Sequence, residues 1–225
     1  MDNKKAVVIV SGGIDSSTLL YTVSEQGFDI HALTFIYGQK HIKEIESARK
    51  VCSMLGVSHR VVDLSALKGL LSGSALTDST IDIPEVPETL EHYGTLAATI
   101  VPNRNAIFLS IGVGLAVSAG AGRVYFGAHH SDRGVYPDCR REFIEAFEAA
   151  ERLATDVPGL RVEAPFVDMN KSEIVSLGAS LGVPYDITWS CYKGGQKHCG
   201  VCSSCRERKR AFAESGVADP TRYEG

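Results

Sequence analysis

The chain has 225 residues, 44% of them hydrophobic and 22% charged, with a formal net charge of −4. That length suits one α/β domain with additions, and the acidic excess argues against the broad basic face that tRNA or DNA binding needs. No stable nucleic-acid partner is expected, although Arg206-Glu207-Arg208-Lys209-Arg210 offers a local basic run. Met1 to Lys5 lead straight into an apolar segment without an export-type leader, and the longest apolar stretch, Ala106–Ala121, is short for a membrane span and dotted with Gly and Ser. A cytoplasmic protein with no membrane contact is expected, that stretch being a helix buried in the core.

Ala6-Val7-Val8-Ile9-Val10 reads as a buried strand. Ser11-Gly12-Gly13 follows as a turn, and Ile14, Leu19, Leu20 and Val23 then recur at helical spacing. A strand that turns through glycine into a helix N-terminus makes an anion cradle, because unpaired N–H groups and the positive end of the dipole face the ligand. The spacing is not that of Gly-Lys-Ser/Thr phosphate loops or of Gly-x-Gly-x-x-Gly. Ser-Gly-Gly-x-Asp-Ser instead resembles the PP-loop of ATP pyrophosphatases, which split ATP between its α and β phosphates. This resemblance places ATP on Val10, Ser11, Gly12, Gly13, Ile14, Asp15, Ser16, Ser17, Thr18, Leu19 and Leu20. Ser11, Gly12, Gly13, Ser16 and Ser17 are expected to cradle phosphate. Asp15 is expected either to cap the helix or to hold Mg²⁺.

A second strand is expected over Asp29–Phe35, then the polar connection Tyr37-Gly38-Gln39-Lys40-His41. Ile42, Ile45, Ala48, Val51, Cys52 and Leu55 mark an amphipathic helix with Cys52 on its inner face, and Ser58–Leu64 a third strand. β-α-β-α-β predicts a doubly wound parallel sheet, whose ligands sit at the carboxyl ends of the strands. Residues 65–102 lose periodicity and are read as a lid or a dimer arm, with plain disorder as the alternative. Further strands are expected at Arg123–Gly127 and Leu160–Ala164, with helices around Phe143–Ala150 and from Asp168 to Leu181. His129 and His130 are neighbours on a loop without a matched set of acids, and no metal is assigned to them.

Four cysteines crowd the C-terminus as Cys191-x7-Cys199-x2-Cys202-x2-Cys205. In a chain without an export leader this spacing points to a tetrahedral thiolate site, structural zinc before an iron–sulfur cluster or a redox dithiol. The expected division is a nucleotide-binding region over 1–185 and a zinc-binding region over 186–225.

Taken together, Ser11–Ser16, Tyr37–His41, Pro102-Asn103-Arg104-Asn105, Tyr136-Pro137-Asp138-Cys139-Arg140 and Cys191-Tyr192-Lys193-Gly194-Gly195 with the cysteine knuckle are similar to the 7-cyano-7-deazaguanine synthases of the queuosine and archaeosine pathways. The resemblance spans nearly the whole chain. It implies an ATP-dependent ligase, of PP-loop fold with a C-terminal zinc knuckle, that joins ammonia to 7-carboxy-7-deazaguanine and dehydrates the amide to a nitrile. Zn²⁺, ATP and Mg²⁺ are implied, and the long arm over 65–102 hints at a homodimer. Asp15, Lys171 and Arg104 are the expected catalytic residues, the last two meeting anions; a solvated Lys171 is the alternative. Tyr37, Gln39, His41, Tyr136, Asp138, Arg140 and Lys193 are expected at the substrate. Asp138 would accept the guanine-like edge, Tyr136 or Tyr37 would stack on the base unless Tyr37 is core, and Gln39 and His41 would meet the carboxylate. Two alternatives stay open: a relative that passes the activated deazaguanine to a protein amine, and a PP-loop enzyme that modifies tRNA.

Overall fold

The structure, a computed structural model, describes residues 2–71, 73–85 and 97–224. Its strands are β1 (Asp2–Ile9), β2 (Asp29–Ile36), β3 (Ser58–Asp63), β4 (Ala121–Tyr125) and β5 (Arg161–Glu163). They pair in parallel in the order β3-β2-β1-β4-β5. Parallel neighbours need a crossover between them. Helices α1 (Ile14–Glu25), α2 (Lys43–Met54), α3 (Arg104–Ala119), α4 (Arg141–Thr155), α5 (Lys171–Ser180) and α6 (Ser203–Ser215) pack on the two faces. This is the doubly wound parallel sheet that the sequence predicts.

Alternation along β1 divides the core. Ala6 and Val8 face one layer, with Leu19, Leu20 and Val23 of α1, Val51 and Cys52 of α2, Ile174 of α5 and Phe212 of α6. Val7 faces the other, with Leu109, Val113 and Ala116 of α3 and Ile144 of α4. A strand's side chains point alternately to opposite faces, so one apolar run supplies both cores. The strand order reverses between β1 and β4, and the gap that opens there at the carboxyl ends is where such sheets bind ligands.

Two expectations need correction. Helix α3 is not buried all round: by length and composition residues 97–119 are apolar enough to cross a membrane, but in α3 only Leu109, Gly112, Val113 and Ala116 are buried. Those four lie at spacings of three and four, one stripe against the sheet. The run from Arg206 to Arg210 is divided rather than one basic face: α6 turns Arg208 into the interior at 1% exposure and leaves Arg210 exposed. There its guanidinium donates to Thr188 Oγ1 at 2.9 Å, Ser190 Oγ at 3.1 Å and the Tyr185 carbonyl at 2.8 Å, and its Nε donates to Thr221 Oγ1 at 2.6 Å. A charge so far from water persists only when its donors are matched. Phe212 also meets Tyr185 edge-on at 5.3 Å, so the C-terminal region shares the core of the nucleotide fold.

Of the long connection 65–102, Ser72 and residues 86–96 lie outside the described residues, and the lid or dimer arm expected there is described only at its two ends. Ala75 N–H donates to Ala98 O at 2.7 Å and Lys40 N–H to Leu76 O at 3.1 Å, which seats this segment beside the end of β2.

Candidate active site

Beyond β1 the chain turns at Gly12, with φ +87°. A Cβ there would lie 2.2 Å from Glu44 O and 2.6 Å from Ala48 N, so only glycine lets α2 pack so close. Ser16 Oγ accepts from Ser11 N at 3.0 Å and Gly12 N at 3.1 Å, which draws the loop over the start of α1. Gly13 is the N-cap and no side chain caps the helix. Asp15 is therefore not a cap, and its side chain is free to face the cavity.

That cavity encloses about 510 Å³ and runs from the Ser11–Ser16 loop to Tyr37, Arg104 and Tyr136. Its two ends differ. At one end, α5 begins with a capping box: Asn170 Oδ1 accepts from Glu173 N at 2.9 Å, and Glu173 Oε2 from Asn170 N at 2.7 Å. This fixes Lys171, the first helical residue. Its ammonium lies 2.6 Å from Glu207 Oε2 and 3.3 Å from Asp15 Oδ2. Lys171 is thus no solvated lysine. Burial opposes its charge, but Asp15, Glu207 and Asp132 outweigh that and hold its pKa above the usual value. Burial likewise works against the Glu207 carboxylate, yet Lys171 and His129 bring it down to about 2. Asp132 is raised by burial, against the pull of His129 and Lys171. His129 Nε2 lies 3.4 Å from Asp132 Oδ2 and 3.8 Å from Asp15 Oδ2. Asp15 Oδ1 and His129 Nδ1 are buried without a hydrogen-bond partner.

The other end is aromatic. Phe35 stacks on Phe108 at 4.1 Å, Tyr37 meets Phe108 edge-on at 5.4 Å, and the Arg104 guanidinium lies 5.8 Å from the Tyr37 ring centre. Tyr37 is thus both core and cavity wall. No carboxylate of the described residues lies within ion-pair distance of Arg104. Glu44 lines the same wall, its Oε1 accepting from Gln39 Nε2 at 3.0 Å. Burial pushes Glu44 up to about 7, against the smaller pulls of Gln39 and Arg104. Cys139 also lines the cavity, and burial drives its thiol far above the ordinary range, which leaves it a poor nucleophile.

The cavity brings together Val10, Ser11, Gly13, Ile14, Asp15, Ser16, Tyr37, Gln39, His41, Arg104, Tyr136 and Lys171. Other expected residues lie elsewhere. Gly12 backs onto α2. Ser17, Leu19 and Leu20 are buried in the body of α1, and Thr18 Oγ1 pairs with Tyr185 Oη at 2.9 Å. Asp138, expected at the base edge, is committed to the start of α3: it accepts from Asn105 N at 3.0 Å and Asn105 Nδ2 at 3.3 Å. Arg140 Nε donates to Arg133 O at 3.0 Å, and Lys193 pairs with Glu85. Neither lines the cavity, since each points along the surface to a neighbouring loop. Glu44, Asp132, Trp189, Tyr192 and Glu207, none of them among the expected site residues, also line it. Glu44 had one signal, an acid opening a helix directly after the rim segment Tyr37–His41. Glu207 had none, hidden between two arginines.

Behind the cavity, Cys191, Cys199, Cys202 and Cys205 bring their sulfurs within 4.8 Å of one another, and no disulfide joins them. Four thiolates at about 2.3 Å from a tetrahedral centre lie roughly 3.8 Å apart. The Cys199 and Cys205 sulfurs are 3.9 Å apart, so the cluster has the size to hold a metal ion.

A profile of the family described as Queuosine biosynthesis protein QueC matches residues 5–216. The chain belongs to that family. Within it, a 7-cyano-7-deazaguanine synthase of Caldicellulosiruptor bescii is 50% identical over 220 residues, covering 98% of this chain and 97% of its own. Another, of Archaeoglobus fulgidus, is 52% identical over 216 residues, covering 96% and 89%. The fold also matches a solved 4-thiouridine synthetase bound to RNA and ATP, at TM-score 0.54 and 21% identity over 82% of this chain and 42% of that one. QueC membership accounts for the PP-loop, the rim segments and the cysteine knuckle as one constellation.

Proposed function

We propose that the chain converts 7-carboxy-7-deazaguanine, ammonia and ATP into 7-cyano-7-deazaguanine, AMP and pyrophosphate. The observation that carries this reading is a cavity with an anion cradle at one end and, at the other, a guanidinium without an acidic partner among the described residues, walled by Tyr37, Tyr136 and Tyr192. The family membership and the names of the two relatives support it. A carboxylate resists attack by ammonia because it is an anion without a leaving group. Attack of its oxygen on the α-phosphate releases pyrophosphate and gives an acyl adenylate. Ammonia displaces AMP to form the amide. A second adenylation, now on the amide oxygen, lets that oxygen depart with AMP as the last N–H proton is lost, and the nitrile forms.

On this reading the first-turn amides of α1, Ser11 and Lys171 hold the triphosphate and neutralise charge building at the α-phosphate. Lys171 exchanges a carboxylate partner for a phosphate. Asp15, with one buried oxygen free, is the residue suited to Mg²⁺, which when bound would screen the phosphate charge. Arg104 pairs with the substrate carboxylate and orients it for in-line attack. Glu44 takes over from Asp138 as the acceptor for the N1–H and exocyclic amine of the base. Cys191, Cys199, Cys202 and Cys205 would hold Zn²⁺ through four thiolates, and the ion would then serve the fold.

The test is a mass-resolved assay with purified protein, 7-carboxy-7-deazaguanine, ammonium and Mg-ATP. Nitrile with two AMP per turnover is expected. Amide as the end product, or an adenylate that ammonium leaves unconsumed, would overturn it.

A further inference from the structure

The phosphate loop and the four-cysteine cluster come from opposite ends of the chain, yet one residue touches both. Trp189 backbone N–H donates to Gly12 O at 2.9 Å, and its carbonyl lies 3.6 Å from where a Cβ on Gly13 would sit. Its indole Nε1 donates to the carbonyl of Cys191 at 2.8 Å. The ring lies 4.3 Å from the His198 ring, whose Nε2 accepts from Ser190 N at 3.1 Å, and the ammonium of Lys43, first residue of α2, sits 4.7 Å over the indole centre. Gly12 is thereby clamped. On one side α2 leaves no room for a Cβ; on the other the loop carbonyl is held by Trp189.

We propose that Trp189 is a positioning residue for ATP: it ties the curvature of the phosphate loop to the shape of the four-cysteine cluster, so that the metal centre sets nucleotide affinity as well as stability. The amides after Gly12 bind phosphate only if that turn keeps its φ of +87°, and Ser16 Oγ holds the turn only on its amide side, at Ser11 N and Gly12 N. The second restraint acts on the carbonyl of Gly12, whose donor belongs to Trp189, two residues before the first cysteine of the cluster. A metal ion fixes Cys191 by its sulfur, Cys191 O fixes the indole, and the indole fixes its own backbone N–H. A shift of about 1 Å in a positioning group is enough to cost up to 10²-fold in function. Trp189 also forms cavity wall, so bound nucleotide and metal meet across one side chain. This inference rests on the proposed readings of the loop as the ATP site and of the cysteines as a metal centre.

Trp189 is the single tryptophan of the chain, so its emission reports the link directly. The first experiment uses the unaltered protein and an ATP analogue blocked between the α and β phosphates, without the deazaguanine substrate. Analogue binding is expected to shift the emission, saturating at the dissociation constant found by calorimetry. Stripping the metal with a chelator, while far-UV circular dichroism stays native, is expected to shift the emission again and weaken analogue binding about tenfold. The second uses Trp189→Phe and Trp189→Ala, with metal content measured by mass spectrometry. Affinity is expected to fall about threefold and tenfold respectively, at unchanged metal content, with KM for ATP rising more than kcat falls. Analogue affinity in Trp189→Ala within twofold of the parent, or emission indifferent to saturating analogue, overturns the proposal. Protein that purifies folded and without metal overturns the metal-centre reading, and the metal-set affinity with it, whereas failure to turn over 7-carboxy-7-deazaguanine leaves every one of these readouts in place.

Discussion

The two ends of the cavity handle charge in opposite ways. At the phosphate end Lys171, Asp15 and Glu207 are already paired, at 3.3 and 2.6 Å, before any ligand arrives. At the aromatic end Arg104 has no acidic partner among the described residues, and Glu44 holds a hydrogen bond only from a neutral amide. A triphosphate is highly charged and strongly hydrated, so the end that receives it gains from groups held in place beforehand. The smaller substrate carries one carboxylate, and an end that holds an unpaired counter-charge selects for it.

Removing the cation held at the phosphate end has the largest expected effect. In Lys171→Met the carboxylates of Asp15, Glu207 and Asp132 lose the ammonium that pairs with them, and on the proposed reading kcat/KM for ATP is expected to fall about 10³-fold in steady-state kinetics. At the aromatic end, Arg104→Gln is expected to lower kcat/KM about 10²-fold for 7-carboxy-7-deazaguanine, but by less than about fivefold when 7-amido-7-deazaguanine is supplied instead. The amide carries no carboxylate, so Arg104 has nothing to pair with. Equal losses for both substrates would erase the proposed difference between the ends.

Asp138→Ala sharpens the comparison from the opposite direction. Asp138 supports Asn105 at the start of α3 and takes no part in the cavity wall. Loss of that support is expected to cost about 1 kcal/mol, a drop of roughly 2–4 °C in Tm by calorimetry, with KM for the deazapurine unchanged.

That residue also shows where sequence reading stops. The sheet, its order of helices and the glycine turn were legible because local pattern determines them: Val7 and Val8 alternate, Leu19 and Val23 repeat at helical spacing, and Gly12 marks a turn. The ends of Ser11–Ser16 and Tyr37–His41 fell on one rim because parallel sheets put every strand's carboxyl end on the same side. Asp138, Arg140 and Lys193 sit in segments of the right family pattern, but which way a loop side chain points depends on its partner: for Asp138 and Lys193 this lies far along the chain, at Asn105 and Glu85, and for Arg140 it is the Arg133 carbonyl in the preceding loop. Glu207 shows the converse. Its charge reads as part of a solvated basic run until α6 is seen against α5, where helical geometry turns Glu207 to Lys171 and its neighbour Arg208 to the core.

A last pair of variants separates the ends by the sign of their response to pH. Glu207 ionises in the fold at about 2 against an ordinary 4.5, so it contributes stability that is fully present above 4.5 and lost as pH falls toward 2. Glu44 ionises at about 7 against 4.5, so folding opposes its charge: it costs nothing below 4.5, the cost grows between 4.5 and 7, and it is constant above. Replacing each with glutamine keeps shape and removes the titration. Glu207→Gln is expected to lower Tm by several degrees at pH 8, because Lys171 loses a partner within the fold, and by less at pH 3. Glu44→Gln is expected to raise Tm by a few degrees at pH 8 and leave it unchanged at pH 4, while raising KM for the deazapurine. Calorimetry of the two variants across pH 3 to 8 checks both. If Glu44→Gln also lowers Tm at pH 8, its carboxylate has a cationic partner in the fold, and the aromatic end is charge-paired after all.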